Sequence, residues 1–311
     1  MYAEHYPVML DEALDGLDLK NDGTYFDGTL GFGGHTGEIL RRTTSARVYA
    51  TDLDNAAIKN AEKLKSVYGD RLTVIHDNFK NFDAIRRDLG IDGFDGILLD
   101  LGVSSVQLDV RSRGFSYLAE DEKLAMRFNE DQSFSAETIV NEYSEKRLKQ
   151  IIADYGEERF AAQIARNIVI EREKARVTTC GKLVEIIEKS IPKKFQQNGH
   201  PAKKTFQALR IETNGELSGL DDAIRDMVSA LKKGGRIAVI TFHSLEDRIV
   251  KNVFKDLNTD CVCDKSLPVC VCGRKKIVEL VNKKPITATE KELTENSRSK
   301  SAKLRVAEKI V

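Results

Sequence analysis

The sequence predicts an α/β protein built on a parallel sheet, with a helical domain inserted between two strands. Three observations predict it. Strand-like and helix-like segments alternate from Thr24 to Asp100, and such alternation sets parallel strands side by side with helices on both faces. Ile97-Leu98-Leu99 is apolar throughout, as a strand buried on both faces must be. The alternation then lapses for roughly 90 residues of helical patterning, too long a stretch for a structureless loop, before it resumes.

In chain order, Thr24-Tyr25-Phe26-Asp27 reads as a short strand that runs into a glycine-rich turn, Gly28 to Gly37. Arg47 to Thr51 is a second strand. Asn55 to Tyr68 carries apolar residues at helical spacing (Ala57, Ile58, Ala61, Leu64, Val67) behind an Asp54 cap. Leu72 to Ile75 is a third strand, and Phe82, Ile85 and Leu89 share one face of the next helix. Strand four is Ile97 to Leu99. From about Arg111 to Lys204 only helices are predicted: Ala136–Tyr143, Glu145–Asp154, Glu157–Lys174 and Gly181–Ser190. A helix over Phe206–Leu231, a strand over Ile237–Thr241 and a helix over Leu245–Leu257 complete the alternation. The tail from Cys261 reads as irregular and basic, with a last strand available at Ala302–Val306.

The chain has 311 residues, and its 49 basic and 49 acidic side chains cancel. A neutral total neither supports nor excludes a nucleic-acid partner, so the distribution decides. Ten basic residues (Arg172, Lys174, Arg176, Lys182, Lys189, Lys193, Lys194, Lys203, Lys204 and Arg210) crowd one segment against three acids (Glu173, Glu185 and Glu188). The tail adds Arg274, Lys275, Lys276, Lys283, Lys284, Arg298, Lys300, Lys303 and Arg305. These runs suit a phosphate backbone or an ordinary solvated surface. Met1 to Leu14 lacks a basic start and an apolar run, and no stretch of about 18 apolar residues occurs. A cytoplasmic protein without a membrane span is expected. Five cysteines do not suggest a disulfide framework. Cys180 reads as a small buried apolar residue. Cys261, Cys263, Cys270 and Cys272 are enough thiolates for a zinc ion, but the usual CxxC spacing is missing and no metal ligand is assigned.

The turn Asp27-Gly28-Thr29-Leu30-Gly31-Phe32-Gly33-Gly34-His35 lets a ligand approach the backbone. Asp52, ending the second strand, stands where doubly wound folds bind ribose hydroxyls, or simply caps the next helix. A triphosphate site would need GxxxxGK[ST], which is absent, and the GxGxxG of a dinucleotide site is only partly met. S-adenosylmethionine has no pyrophosphate and asks less of the glycines; Asp27 could face its ammonium group. Strand four ends at Asp100, which points to the crevice where open α/β sheets bind ligands, or caps the following turn.

The motifs taken together resemble a known family. They are His5-Tyr-Pro7-Val-Met-Leu, Asp27 to His35, Asp95-Gly-Ile-Leu-Leu-Asp-Leu-Gly-Val-Ser-Ser-Val-Gln107-Leu-Asp109, Arg113-Gly-Phe-Ser116, Tyr155-Gly-Glu-Glu158, His200-Pro-Ala, Phe206-Gln-Ala-Leu-Arg-Ile211, Phe242-His-Ser-Leu-Glu-Asp-Arg248 and Ser301-Ala-Lys-Leu-Arg305. Over nearly the whole chain, and in order, they resemble the bacterial ribosomal RNA small-subunit methyltransferase H family, also called MraW. The resemblance implies a Rossmann-like class I methyltransferase fold with an inserted all-helical domain. It implies a cofactor domain of residues 1–110 and 205–311, and an RNA-recognising insertion of residues 111–204. It implies transfer of a methyl group from S-adenosyl-L-methionine to N4 of one cytidine in the decoding region of 16S rRNA, in the small ribosomal subunit. Matched position by position, Gly33, Gly34, His35, Asp52, Phe79, Asp100 and Gln107 would bind the cofactor.

A cytosine amino group is a poor nucleophile because its lone pair is delocalised into the ring. A carboxylate accepting its N–H would help as charge develops; Asp100 is the candidate and Asp109 the alternative. His243 and Arg248 either line the site or serve structure. The sequence departs from the family pattern at Val106, where Pro is usual, and at Ala125 and Asn129, where acids are usual, with Phe128 between them. Other readings are a DNA amino-methyltransferase, which would carry Asp/Asn-Pro-Pro-Tyr/Phe where Asp100-Leu-Gly-Val stands, a non-catalytic ribosome-assembly factor, and a dehydrogenase.

Overall fold

A computed structural model describes residues 7–197, 199–264 and 269–311. His5 and Tyr6 of the first motif lie outside the described residues, as does the side chain of Val106. The chain forms two compact units, one of Met1–Gly102 with Gly219–Val311, the other of Val103–Ser218.

The first unit begins with α1 (Leu10–Leu17), β1 (Thr24–Asp27), α2 (Gly34–Arg42), β2 (Arg47–Asp52), α3 (Asn55–Tyr68), β3 (Leu72–His76), α4 (Phe82–Asp88) and β4 (Phe94–Asp100). The second unit supplies α5 (Ser105–Asp109), α6 (Ala136–Glu142), α7 (Glu145–Gly156), α8 (Ala161–Lys174), α9 (Cys180–Ser190) and α10 (Lys203–Asn214). The first unit resumes with α11 (Leu220–Ser229), β5 (Leu231–Thr241), α12 (Ser244–Leu257), β6 (Val278–Leu280), α13 (Glu290–Glu295) and β7 (Lys303–Lys309).

The strands form one sheet in the order β3-β2-β1-β4-β5-β7-β6. The first five are mutually parallel, and β7 runs antiparallel between β5 and β6. This is the Rossmann-like methyltransferase sheet expected from the sequence. Strand order reverses between β1 and β4, so a crevice opens at their carboxyl ends. Side chains alternate between the faces. Phe26, Phe94, Leu99 and Ile237 enter one apolar cluster with Phe82 and Phe254, while Tyr25, Leu98 and Ile240 enter the other with Leu14 and Ile39. Phe26 packs edge-on against Phe82 at 4.9 Å. At the opposite end of the sheet, Asp95 accepts hydrogen bonds from the Thr24 amide (3.0 Å), Lys20 Nζ (3.0 Å) and Lys232 Nζ (2.6 Å), tying β1, β4 and β5 together.

The second unit is helical, with no strand longer than a single bridge among its described residues. Leu124, Ile139, Leu148, Ile152, Ile164, Ile168, Leu183 and Ile187 are its core. Its limits differ from the expected 111–204. Val103 and Leu108 pack on this core, and Phe206 and Leu209 of α10 are part of it. The expected helix over 206–231 is therefore two helices in two units. Gly215 ends α10 in the left-handed region (φ 57°), Gly219 precedes α11 in the same region (φ 68°), and Leu231 already belongs to β5. The helix expected from Glu157 starts at Ala161, because Glu157 caps α7 with a left-handed backbone (φ 47°).

The loop that carries the family departures is pinned from two sides. Arg113 Nη2 donates to the carbonyls of Arg127 (2.8 Å) and Phe128 (3.1 Å). Asn214 accepts from the Phe128 amide (2.8 Å) and donates to the Met126 carbonyl (2.8 Å). Phe128 stacks on Phe115 with centroids 5.7 Å apart, and the Asn129 side chain accepts from the Asp131 amide. Phe128 and Asn129 thus have structural roles in this chain.

Gly114 opens that loop at φ 70°, and a Cβ there would lie 2.2 Å from the Lys123 carbonyl oxygen and 2.8 Å from the Ala125 amide nitrogen. Gly215 has a similar φ and open space around it. Gly114→Ala is expected to destabilise the protein by about 3 kcal/mol or more, and Gly215→Ala by about 1 kcal/mol, in urea unfolding followed by circular dichroism. Equal effects would refute this account of the loop.

Candidate active site at the carboxyl ends of β1, β2 and β4

β1 delivers Asp27 to the bottom of the crevice, and the next eight residues wrap around its end. The turn is hydrogen-bonded to both neighbouring strands. The Gly28 amide donates to the Leu98 carbonyl (3.0 Å), the Leu30 amide to the Thr51 carbonyl (2.9 Å) and the Asp100 amide to Thr29 Oγ1 (2.6 Å). Packing, as well as any ligand, demands glycines here. A Cβ on Gly28 would fall 2.5 Å from Leu99, one on Gly33 2.1 Å from Leu64, and one on Gly34 2.2 Å from Pro7. Gly31 is different. Its φ is 52°, its Cβ direction is open, and its amide donates to Asp52 Oδ2 at 2.7 Å. α2 starts directly after the turn, and the amides of Gly34 and His35 at its positive end have no hydrogen-bond partner among the described residues.

The acids are set by their backbone surroundings. Asp27 is buried, its oxygens taken by the Thr29 amide (3.0 Å) and Thr36 Oγ1 (2.7 Å). It knits β1 to α2 instead of presenting a free oxygen to the crevice. Asp52 ends β2 and accepts from the amides of Gly31 and Asp54 (2.8 Å). The expected helix cap is Asp54, which accepts from the Ala56 amide. Burial, with Asp54 and Asp27 nearby, raises the Asp52 carboxyl to about 6.

Asp100 ends β4 with a quarter of its side chain exposed. Its Oδ1 is shut away from solvent with no hydrogen-bond partner among the described residues. Burial, then the charges of Asp27, Glu246 and Glu292, push its carboxyl well above the usual range. His35 does not offset this. Burial lowers the imidazole to about 4, so it is neutral. Its Nε2 lies 3.1 Å from the Val8 carbonyl and must carry the proton it donates there, which leaves the Nδ1 lone pair facing Asp100 Oδ2 at 3.9 Å. No lysine or arginine pairs with Asp27 or Asp100 among the described residues. Phe79 follows β3 in a short turn capped by Asn78, half-buried, its Cβ against the position a Gly28 side chain would take.

Gln107 and Asp109 belong to the second unit. Gln107 is buried at the start of α5, where its Oε1 accepts from the Ser104 amide (2.9 Å) while its own amide donates to Ser104 Oγ (3.2 Å). Asp109 is exposed at the end of that helix. His243 is the N-cap of α12, in a reciprocal capping box with Glu246, and Arg248 lies on the exposed face of the same helix. The structural role of His243 is thus filled. Sequence reading missed Thr29, Glu246 and Glu292. Glu246 had a signal, since it stands three residues after a helix-starting position; Glu292, which accepts from the Met9 amide, had none.

The basic runs look different once folded. In the second unit, Lys174, Arg176, Lys182, Lys189 and Arg210 are all paired with carboxylates, and Arg172 donates to the carbonyls of Val140 and Tyr143. Lys193, Lys194 and Lys203 have no carboxylate partner among the described residues. The first two adjoin exposed Phe195, whose ring lies 5.0 Å from Lys194 Nζ and 4.2 Å from the Arg159 guanidinium. Lys251 and Lys255 of α12, with Lys283, Lys284 and Arg305 of the tail, line a cleft of about 350 Å³. No helix among the described residues is long and apolar enough to cross a membrane.

Comparison with known proteins agrees with the motif pattern. Residues 2–310 match the model of the MraW methylase family. Ribosomal RNA small subunit methyltransferase H of Clostridium botulinum (strain Loch Maree / Type A3) is 50% identical over 311 residues, covering 100% of both chains. Ribosomal RNA small subunit methyltransferase H 2 of Agathobacter rectalis is 50% identical, covering 99% of each. Among solved structures, an rRNA methylase from Streptococcus thermophilus aligns over 99% of this chain and 100% of its own, with a TM-score of 0.42 and 11% identity, too loosely to bear on function. With full-length relatives at this identity and a family match from end to end, the chain belongs to the MraW methylase family.

Proposed function

We propose that this chain transfers the methyl group of S-adenosyl-L-methionine to N4 of a cytidine in the decoding region of 16S rRNA. The observation that carries the reading is the acid-lined crevice around Asp100, where, among the described residues, a buried carboxylate oxygen has no hydrogen-bond partner and no lysine or arginine pairs with it. Such a site welcomes a cationic ligand and repels a pyrophosphate. That favours a sulfonium and an ammonium over a dinucleotide, and disfavours the dehydrogenase reading. When bound, S-adenosylmethionine supplies an electrophilic methyl group on positively charged sulfur.

The residues fit that cofactor. Asp52 is positioned to accept from ribose hydroxyls, Phe79 to pack against the adenine ring, and the unpartnered amides of Gly34 and His35 to donate to a carboxylate. Gln107 completes the set by the family's pattern. Asp100 is the candidate for assisting the amino nitrogen. In the free chain burial, then the neighbouring acids, raise its carboxyl well above the usual range. Positive charge in the crevice favours the carboxylate form, which would accept an N–H of the incoming amino group and raise electron density on nitrogen. The helical unit is the proposed rRNA-recognition domain, with Lys193, Lys194 and Phe195 as its contact patch. The target base reaches the crevice only after leaving its stack.

Three outcomes are expected. With small ribosomal subunits lacking the modification, label from S-adenosylmethionine should appear in N4-methylcytidine, and Asp100→Asn should lower kcat by about 10²-fold or more. Binding without transfer, against a competent control substrate, would favour the non-catalytic assembly factor. Affinity for S-adenosylhomocysteine should fall as pH drops through about 6, because the Asp52 carboxylate is the better acceptor and is lost on protonation. Calorimetry across pH 5 to 8 should find that inflection in the wild type and lose it in Asp52→Asn. Replacing Lys193 and Lys194 with glutamate should weaken rRNA binding and flatten its salt dependence by roughly two in log–log slope, with S-adenosylhomocysteine affinity unchanged.

A further inference from the structure

The geometry points to a structural zinc site made by Cys261, Cys263, Cys270 and Cys272, on the excursion between α12 and β6. This stands apart from the proposed methyl transfer. The four thiols are free, and all four sulfurs lie within 4.8 Å of one another. Cys261 Sγ is 3.4 Å from Cys270 Sγ and 3.8 Å from Cys272 Sγ; Cys270 Sγ is 3.5 Å from Cys272 Sγ and 3.9 Å from Cys263 Sγ. A tetrahedron of sulfurs around zinc, with Zn–S of about 2.3 Å, has edges of about 3.8 Å. The cluster is therefore already close to the size the ion requires. Backbone amides support it: Cys263 N–H donates to Cys261 Sγ and Val271 N–H to Cys263 Sγ, both at 3.4 Å.

The surrounding chain has little else to hold it in this conformation. Between Leu257 and Val278 the described residues form neither helix nor strand. Around the cysteines the described apolar side chains, Val262, Val269 and Val271, are 60%, 71% and 76% exposed, and only Ile277, at the base beside β6, packs on the core. Hydrogen bonds close the base of the excursion, from the Ile277 amide to the Leu257 carbonyl (2.8 Å), from the Lys276 amide to Asp260 Oδ1 (3.2 Å) and from Arg274 Nη2 to Asp256 Oδ1 (2.7 Å). A segment without a core that gathers four thiols is the usual setting for a metal staple. All four ligands come from protein, which leaves no open position and makes the site structural. A tetrathiolate zinc carries a net charge of about −2, and Arg274, Lys275 and Lys276 follow directly. Sulfur-only ligation excludes magnesium and calcium.

The test is the metal content of the full chain, purified without added metal and then exposed to zinc. About one zinc per chain is expected, released in step with mercurial titration of the thiols. The Cys261→Ser/Cys270→Ser double variant should lose the metal. It should be cut by trypsin after Arg274–Lys276 on the order of tenfold faster, with S-adenosylhomocysteine binding unchanged. If that variant aggregates, chelation of the wild type supplies the same proteolysis comparison. Zinc below about a tenth per chain with four freely reacting thiols, iron in its place, or two disulfides by intact mass, each overturns the assignment.

Discussion

Everything at the crevice depends on the way the turn after β1 is tied to the strands on either side of it. Gly28 bonds to β4, Leu30 and Gly31 to β2, and Thr29 takes the Asp100 amide. These bonds level the carboxyl ends of three strands, so that Asp27, Asp52 and Asp100 arrive together although they are far apart in sequence. The glycines serve this arrangement first. Gly28, Gly33 and Gly34 are required because Leu99, Leu64 and Pro7 occupy the space of their side chains, and only Gly31 leaves its Cβ direction open. A motif that looks like a ligand-binding signature is in good part a packing signature that makes ligand binding geometrically feasible.

The same levelling creates an electrostatic debt. Asp100, Asp27, Glu246 and Glu292 sit near one another, with a neutral histidine as the nearest base to Asp100. Burial, then these acids, raises the Asp100 carboxyl well above the usual range, and a positive charge nearby opposes that shift. The proposed preference for a cationic ligand rests on what the site omits as much as on what it contains. Contacts alone would not distinguish an adenosine bearing a sulfonium from one bearing a pyrophosphate.

Much of this was legible in the sequence, for identifiable reasons. α3 falls at Asn55–Tyr68 as read, because its apolar spacing and Asp54 cap are local signals. The strands were found by short apolar runs, and β4 by being apolar throughout. α2 was hidden because its first turn is glycine-rich and reads as loop. The break between α10 and α11 was missed because apolar spacing continues across Gly215 and Gly219, whose left-handed backbones end one helix and start another. The basic run from Arg172 to Arg210 misled in the other direction. Charge counted along the chain takes no account of partners such as Glu137, Glu171 and Glu216, which with other acids pair half of those basic residues across space. Glu292 was invisible because it joins Asp100 from far along the chain.

The place of β7 has a consequence for the order in which the protein can be made. This strand follows β6 in the chain but lies inside the sheet, between β5 and β6. Until the ribosome has released it, β5 has a bare edge and β6 has no neighbour at all, a condition that invites wrong pairing. Glu292, just ahead of β7, reaches the acid cluster equally late. The helical unit, whose contacts are local, can be complete long before. A nascent chain would thus carry a finished helical unit while its crevice still awaited β7 and the Glu292 ahead of it.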